Sequence, residues 1–113
     1  MALIQIFGTK KCNGSKKAER FFKERRVSFQ FIDLAEKGMS KGELASVNRS
    51  IPLEDLIDTK SRLYEKLNLQ YIQHNIEEKL LEEPLLFRTP VVRKGTQAVV
   101  GVDPEAWKKL SEP

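Results

Sequence analysis

The chain has 113 residues, 40% hydrophobic and 32% charged, with one cysteine, one histidine and a net charge of +4. That length suits one domain, residues 1–113, and buries enough apolar surface to fold without a disulfide or metal staple. No apolar run approaches the roughly 20 residues of a membrane-spanning helix, the opening MALIQIFG lacks a signal-peptide layout, and a lone cysteine forms no internal disulfide, so a reducing cytoplasmic setting without a membrane partner is expected.

Leu3 to Phe7, LIQIF, is a short apolar run bounded by Gly8 and reads as a strand buried on both faces. From Ser15 the pattern changes: Ala18, Phe21, Phe22 and Arg25 recur at helical spacing between lysines and glutamates. Val27 to Ile32, VSFQFI, alternates and predicts a second strand, completing a βαβ unit. Ser40 is placed to cap a helix through Glu43, Leu44 and Val47. Ile51-Pro52-Leu53 interrupts it, and Leu53 to Ile57 reads as a further helical turn with Pro52 at an early position. Ser61 to Leu67 and Asn75 to Glu82 continue the helical theme until Pro84. Pro90 to Arg93 and Ala98 to Val100 are strand candidates, and a Lys94-Gly95 turn between them predicts an antiparallel hairpin. Asp103-Pro104-Glu105 is a helix start, and Ala106, Trp107 and Leu110 give that helix an apolar side. The order is β-α-β, a helical insertion over about residues 40–84, then β-β-α, without repeats or linkers.

The only cysteine lies in KKCNGSKK, residues 10–17, between the first strand and the first helix. The thiolate is the nucleophile, so reactivity requires a lowered pKa. Unpaired N–H groups at a helix start favour negative charge there, and Lys10, Lys11, Lys16 and Lys17 add a weaker, solvent-screened contribution. Gly14 permits a tight turn with room above the sulfur, and Ser15 holds the position of a dithiol enzyme's second cysteine. The loop N–H groups also suit an oxyanion. A second basic cluster, Lys23, Arg25 and Arg26, reads as a solvated helix face, and no direct nucleic-acid contact is expected. Pro90, in RTP, reads from spacing as an edge or strand-start residue, with a cis X-Pro bond as the alternative. His74 reads as solvated, and one cysteine with one histidine makes no metal-ligand spacing.

The CxxS motif after the first strand, the βαβ unit, the helical insert, the X-Pro before a hairpin and the final helix together resemble the ArsC family. This is the arsenate-reductase-like and Spx-like branch of the thioredoxin-fold proteins. The matching segments are IFGTKKCNGSKKAERFFKERRVSFQFIDL, LIDTKSRLYEKLNL, LLFRTPVV and VVGVDPEAWKKL, nearly the whole chain. The resemblance implies an α/β, thioredoxin-like fold with a four-stranded mixed sheet flanked by helices, Cys12 as nucleophile, and a cis Pro90 facing it. Reductases of the family attack arsenate with the cysteine and then use glutathione and glutaredoxin; the N–H groups of Asn13, Gly14 and Ser15 would hold the oxyanion.

The departures redirect that expectation. Where such reductases carry arginines this chain has Asp58, Thr89 and Val102 or its neighbours, and Arg88 is one position off, so its side chain is expected on the other face of the strand. Two like charges ~4 Å apart at an effective dielectric of about 20 repel by several kcal/mol, so an acid at position 58 opposes an arsenate dianion, and Lys60 is a point charge without a guanidinium fork. Thr89-Pro90 is instead similar to glutaredoxins and thioredoxins, where the backbone before the cis-proline pairs with a thiol peptide. The expected function is a thiol-dependent oxidoreductase with Cys12 as nucleophile. Lys11, Asn13, Gly14, Ser15, Lys16, Lys60, Arg88, Thr89 and Pro90 are expected around the substrate. Glutathione or another small thiol is the implied co-substrate, with no bound cofactor, and glutaredoxin or thioredoxin the implied partner. The alternatives are an Spx-like regulator docking on RNA polymerase through the insert, lacking that protein's second cysteine at Ser15, and a monothiol-glutaredoxin-like iron–sulfur carrier.

Overall fold

The computed structural model describes residues 3–112. Strands β1 (Ile4–Gly8) and β2 (Phe29–Asp33) lie parallel, joined by helix α1 (Asn13–Glu24). Helices α2 (Lys41–Asn48), α3 (Leu53–Leu56), α4 (Arg62–Lys66) and α5 (Ile76–Glu82) follow, then a 3-10 turn at Pro84–Leu86. Strands β3 (Val91–Lys94) and β4 (Gln97–Val100) form an antiparallel hairpin, and α6 (Pro104–Ser111) ends the chain. The four-stranded mixed sheet has the order β2-β1-β3-β4, with β3 antiparallel to β1.

Side chains alternate across a strand, so β1 supplies two cores. Ile4 and Ile6, with Val92, face Ala18 and Phe22 of α1 and Trp107 and Leu110 of α6. Phe7, Ile32 and Val91 face the insert, meeting Leu44, Val47, Leu56, Leu80 and Leu86. The register places Ile6 beside Val92 and Phe7 beside Val91. Each such Val, Leu, Ile or Phe side chain, fully buried, contributes about 1.5–3 kcal/mol. Helices therefore cover both faces, which fixes β1 in the middle and its C-terminal end at the head of α1.

The helix starts follow local capping chemistry. Ser40 and Glu43 form a reciprocal capping box, with Ser40 Oγ accepting from the Glu43 N–H at 3.1 Å and Glu43 Oε1 from the Ser40 N–H at 2.9 Å. Ser61, Asn75 and Asp103 cap α4, α5 and α6. Pro52 is the N-cap of α3.

Two boundaries differ from the sequence pattern. Alternation starts a strand at Val27, but β2 starts at Phe29. Arg26 adopts φ 56°, and its N–H and that of Val27 bond back to Lys23 O and Phe22 O at 3.0 and 2.9 Å. This Schellman closure spends Val27 on the end of α1, where it packs in the same cluster as Phe22. In the hairpin Lys94 pairs with Gln97, so the turn is KGTQ, residues 94–97, with Gly95-Thr96 as its two central residues, one position on from a Lys94-Gly95 centre. Gly95 takes φ 61°, a conformation that suits glycine.

The insert is stitched to the segment entering β3. Ile57 and Phe87 form an isolated bridge. The Arg88 N–H donates to Leu56 O and the Asp58 N–H to Leu86 O, each at 2.7 Å. Arg88 thus precedes the strand instead of lying on one of its faces, and this bridge delivers Thr89-Pro90 to the end of β1.

Candidate active site

After β1 the chain turns at Thr9–Cys12, with the Cys12 N–H donating to Thr9 O at 3.2 Å. Helix α1 then begins at Asn13, earlier than the apolar periodicity indicates, because the cap is Cys12 itself. With extended dihedrals, φ −80° and ψ 119°, its sulfur accepts from the Ser15 N–H at 3.4 Å. The sulfur thus takes the place of the oxygen in an ordinary serine or aspartate cap.

Thr89 approaches from the other side. The Thr89-Pro90 peptide bond is cis, as the family resemblance implies and contrary to the reading from spacing. Thr89 Oγ1 donates to Cys12 Sγ at 3.0 Å, and Thr89 O lies 3.8 Å from the sulfur. Burial alone raises the thiol pKa. Hydrogen bonds from the Ser15 side chain, the Thr89 hydroxyl and the Ser15 and Gly14 N–H groups outweigh that and hold it below the ordinary value. The flanking lysines are exposed and are not among these groups. Thr89→Val removes one donor to the charged sulfur. Its thiol pKa is expected to rise, cutting the neutral-pH alkylation rate several-fold, as a pH series of iodoacetamide alkylation will show.

Ser15 is fully buried. Its Oγ accepts from the Thr9 N–H at 3.3 Å, and the side chain sits directly over Gly8. The hydroxyl therefore supports the turn and the sulfur from below, closed off from solvent. A Cβ at Gly8 would overlap the Ser15 hydroxyl and lie 2.7 Å from Ser15 Cβ. Gly8→Ala is expected to cost about 1–3 kcal/mol in urea unfolding.

Gly14 also differs from expectation. A Cβ there would come within 2.9 Å of Pro90 Cδ and 3.0 Å of Val102 Cγ2. Its hydrogen opens no space above the sulfur; it lets the cis-proline and Val102 close onto the first turn of α1. Gly101 holds this wall in place, with φ 86° and its N–H donating to Pro90 O at 2.8 Å. Gly101 is the glycine of the VVGVDPEAWKKL segment that carries part of the family resemblance, and a glycine after an apolar strand is itself a turn signal.

The remaining candidates lie further out. Lys11, Asn13 and Lys16 are exposed around the mouth of α1. Arg88 is exposed, and its Nη1 donates to Asp55 O at 3.2 Å. Together with Lys60, Asp58, Glu54, Ile57 and Thr59 it lines a cavity of about 290 Å³. Asp58 Oδ1 accepts from the Lys60 N–H at 3.1 Å. None of Asp58, Thr89 and Val102 can present a guanidinium, and Thr89 is committed to the sulfur. His74 lies in the insert, its Nδ1 2.9 Å from Ile72 O.

A cysteine capping the first turn of a helix, a cis-proline facing it and the β2-β1-β3-β4 sheet define the architecture. The ArsC family profile matches residues 7–110. This chain belongs to the ArsC family. Its fold is thioredoxin-like. Among solved structures, an arsenate reductase from Vibrio cholerae superposes with a TM-score of 0.82 at 23% identity, covering 96% of this chain and 98% of the other. Among curated relatives, the global transcriptional regulator Spx of Streptococcus pyogenes serotype M1 is 23% identical over 104 residues, 88% of this ArsC-family chain and 78% of Spx. The regulatory protein MgsR of Bacillus subtilis strain 168 is 22% identical over 114 residues, covering 96% of this chain and 90% of MgsR. Among the described residues no helix is long and apolar enough to cross a membrane.

Proposed function

We propose that this ArsC-family chain is a thiol-dependent oxidoreductase with Cys12 as its nucleophile. The observation that carries the reading is the set of donors converging on one half-buried sulfur: the Ser15 N–H at 3.4 Å and the Thr89 hydroxyl at 3.0 Å. Such donors favour the thiolate over the thiol.

The Cys12 thiolate attacks one sulfur of a disulfide. A new S–S bond forms to Cys12, the old S–S bond breaks, and the second sulfur leaves as a thiolate. An external small thiol, glutathione by class, then attacks the mixed disulfide and releases the Cys12 thiolate, while the electrons for reduction come from the external thiols. A glutaredoxin or thioredoxin recycles the resulting disulfide. The Thr89 backbone beside Pro90 pairs with the extended thiol peptide. The N–H groups of Asn13, Gly14 and Ser15 support negative charge developing at the sulfur, and Lys11, Lys16, Lys60 and Arg88 supply cations for substrate carboxylates. Arsenate is disfavoured because Asp58, Thr89 and Val102 occupy positions where a dianion needs guanidinium groups.

Incubation with glutathione disulfide followed by intact mass measurement tests this. A single glutathione adduct on Cys12, removed by reduced glutathione, is expected. No adduct between neutral and mildly alkaline pH, or saturable arsenate reduction, would overturn it. A second reading, a regulator acting through a partner such as RNA polymerase, is favoured by the likeness to Spx and MgsR, both named as regulators.

A further inference from the structure

Basic charge is concentrated on the α1 side of the sheet. Between Lys10 and Arg26 the chain carries eight Lys or Arg residues and two glutamates. Lys10, Lys11, Lys16, Lys17, Arg20, Lys23, Arg25 and Arg26 are all exposed. Among the described residues only Lys10 of these has an ion-pair partner, Glu36 at 3.8 Å. Helix α1 packs on the sheet through Ala18 and Phe22. The opposite layer is mixed: α5, packed through Leu80, carries Glu77 and Glu78, and its Glu82 is paired with Lys79 at 3.4 Å. The field of such a surface draws anionic groups toward α1, and α1 is the helix whose first turn holds Cys12 Sγ.

Resting on the oxidoreductase reading, we infer that the substrate is a disulfide-bonded cysteine within an acidic polypeptide segment, docked on the basic face of α1. A polypeptide fits this face better than a nucleic acid does. Phe21 is roofed by the Arg25 guanidinium, 3.7 Å above its ring, and Phe22 is buried, so α1 offers no free aromatic ring for base stacking. A nucleic acid also brings no sulfur to the thiolate. Exchange with an acidic peptide disulfide needs no further reactant. The Cys12 thiolate bonds to the peptide sulfur, the existing S–S bond breaks, and the departing group leaves as a thiolate.

Three peptides test this, each with one cysteine in disulfide linkage to thionitrobenzoate and flanked by glutamates, asparagines or lysines. Release of the coloured thiolate gives the rate. At low salt the acidic peptide is expected to react about tenfold faster than the neutral one, and the advantage is expected to fade toward unity near ~1 M salt. Combining Lys11→Glu, Lys16→Glu and Lys17→Glu is expected to reduce the acidic-to-neutral ratio to one or below. The ratio, unlike either rate, is insensitive to a change in thiol pKa. A ratio near one in the unaltered protein while the neutral peptide reacts overturns the docking inference and leaves the oxidoreductase reading intact. A ratio that survives the triple substitution overturns it as well. A ratio near one together with salt-sensitive binding of a mixed-sequence RNA to the same lysines would assign the face to nucleic acid. Failure of all three peptides overturns both readings.

Discussion

Replacing Cys12 by serine is expected to abolish iodoacetamide labelling and glutathione adduct formation, a loss of roughly a thousandfold or more, while leaving the fold intact. A serine hydroxyl stays protonated where the thiol ionises, so no donor at this site makes it a comparable nucleophile. The structural side of the exchange is mild. Cys12 caps α1 by accepting from the Ser15 N–H, and serine is among the preferred residues for that task. Urea unfolding of Cys12→Ser is expected within about 1 kcal/mol of the parent chain. Persisting adduct formation would place the reactive group elsewhere. A cellular role retained in full by Cys12→Ser would favour the regulator reading, because docking through the insert does not use the sulfur.

Trp107→Ala is expected to cost about 3–5 kcal/mol, a large share of the roughly 5–15 kcal/mol available to a small domain. Trp107 is 1% exposed and lies edge-on to Phe21, with ring centres 5.4 Å apart, and 6.3 Å from Phe22. These rings join α6 to α1 over Ile4, Ile6 and Val92. The cavity left by alanine would therefore loosen the helix that holds Cys12. Trp107 Nε1 is buried without a hydrogen-bond partner. Trp107→Phe discards that unpaired donor along with some volume, and is expected to cost less than half as much as Trp107→Ala. Urea midpoints for the two variants check this order; equal losses would show that ring volume is not what matters.

The parts of this fold that depend on neighbours in sequence were legible. Ser40 with Glu43, Asn75, and Asp103 with Pro104 announce helix starts, and each does cap a helix. LIQIF reads as a doubly buried strand because both its faces are apolar, and β1 is the strand with helices on either side. The four-stranded mixed sheet follows from the family resemblance and is present. What depended on distant contacts was not legible. Alternation could not reveal that Val27 finishes α1 through bonds back to Phe22 and Lys23. The bridge between Ile57 and Phe87 joins segments thirty residues apart, and it decides that Arg88 precedes the strand. At the site, CxxS pointed to Cys12 at a helix start. The burial of the Ser15 hydroxyl over Gly8, and the closure of Pro90 and Val102 onto Gly14, arise only when three loops meet.

The most direct test is the pH dependence of Cys12 alkylation in the folded chain, with the unfolded chain as reference. An unperturbed thiol titrates near about 8.5. The donors around Cys12 Sγ hold the thiol pKa below its ordinary value, so the folded protein should retain rapid alkylation at pH values where the unfolded chain is protonated and slow. A folded midpoint at or above the unfolded one would mean that burial prevails over the hydrogen bonds from Ser15 and Thr89, and would contradict the account.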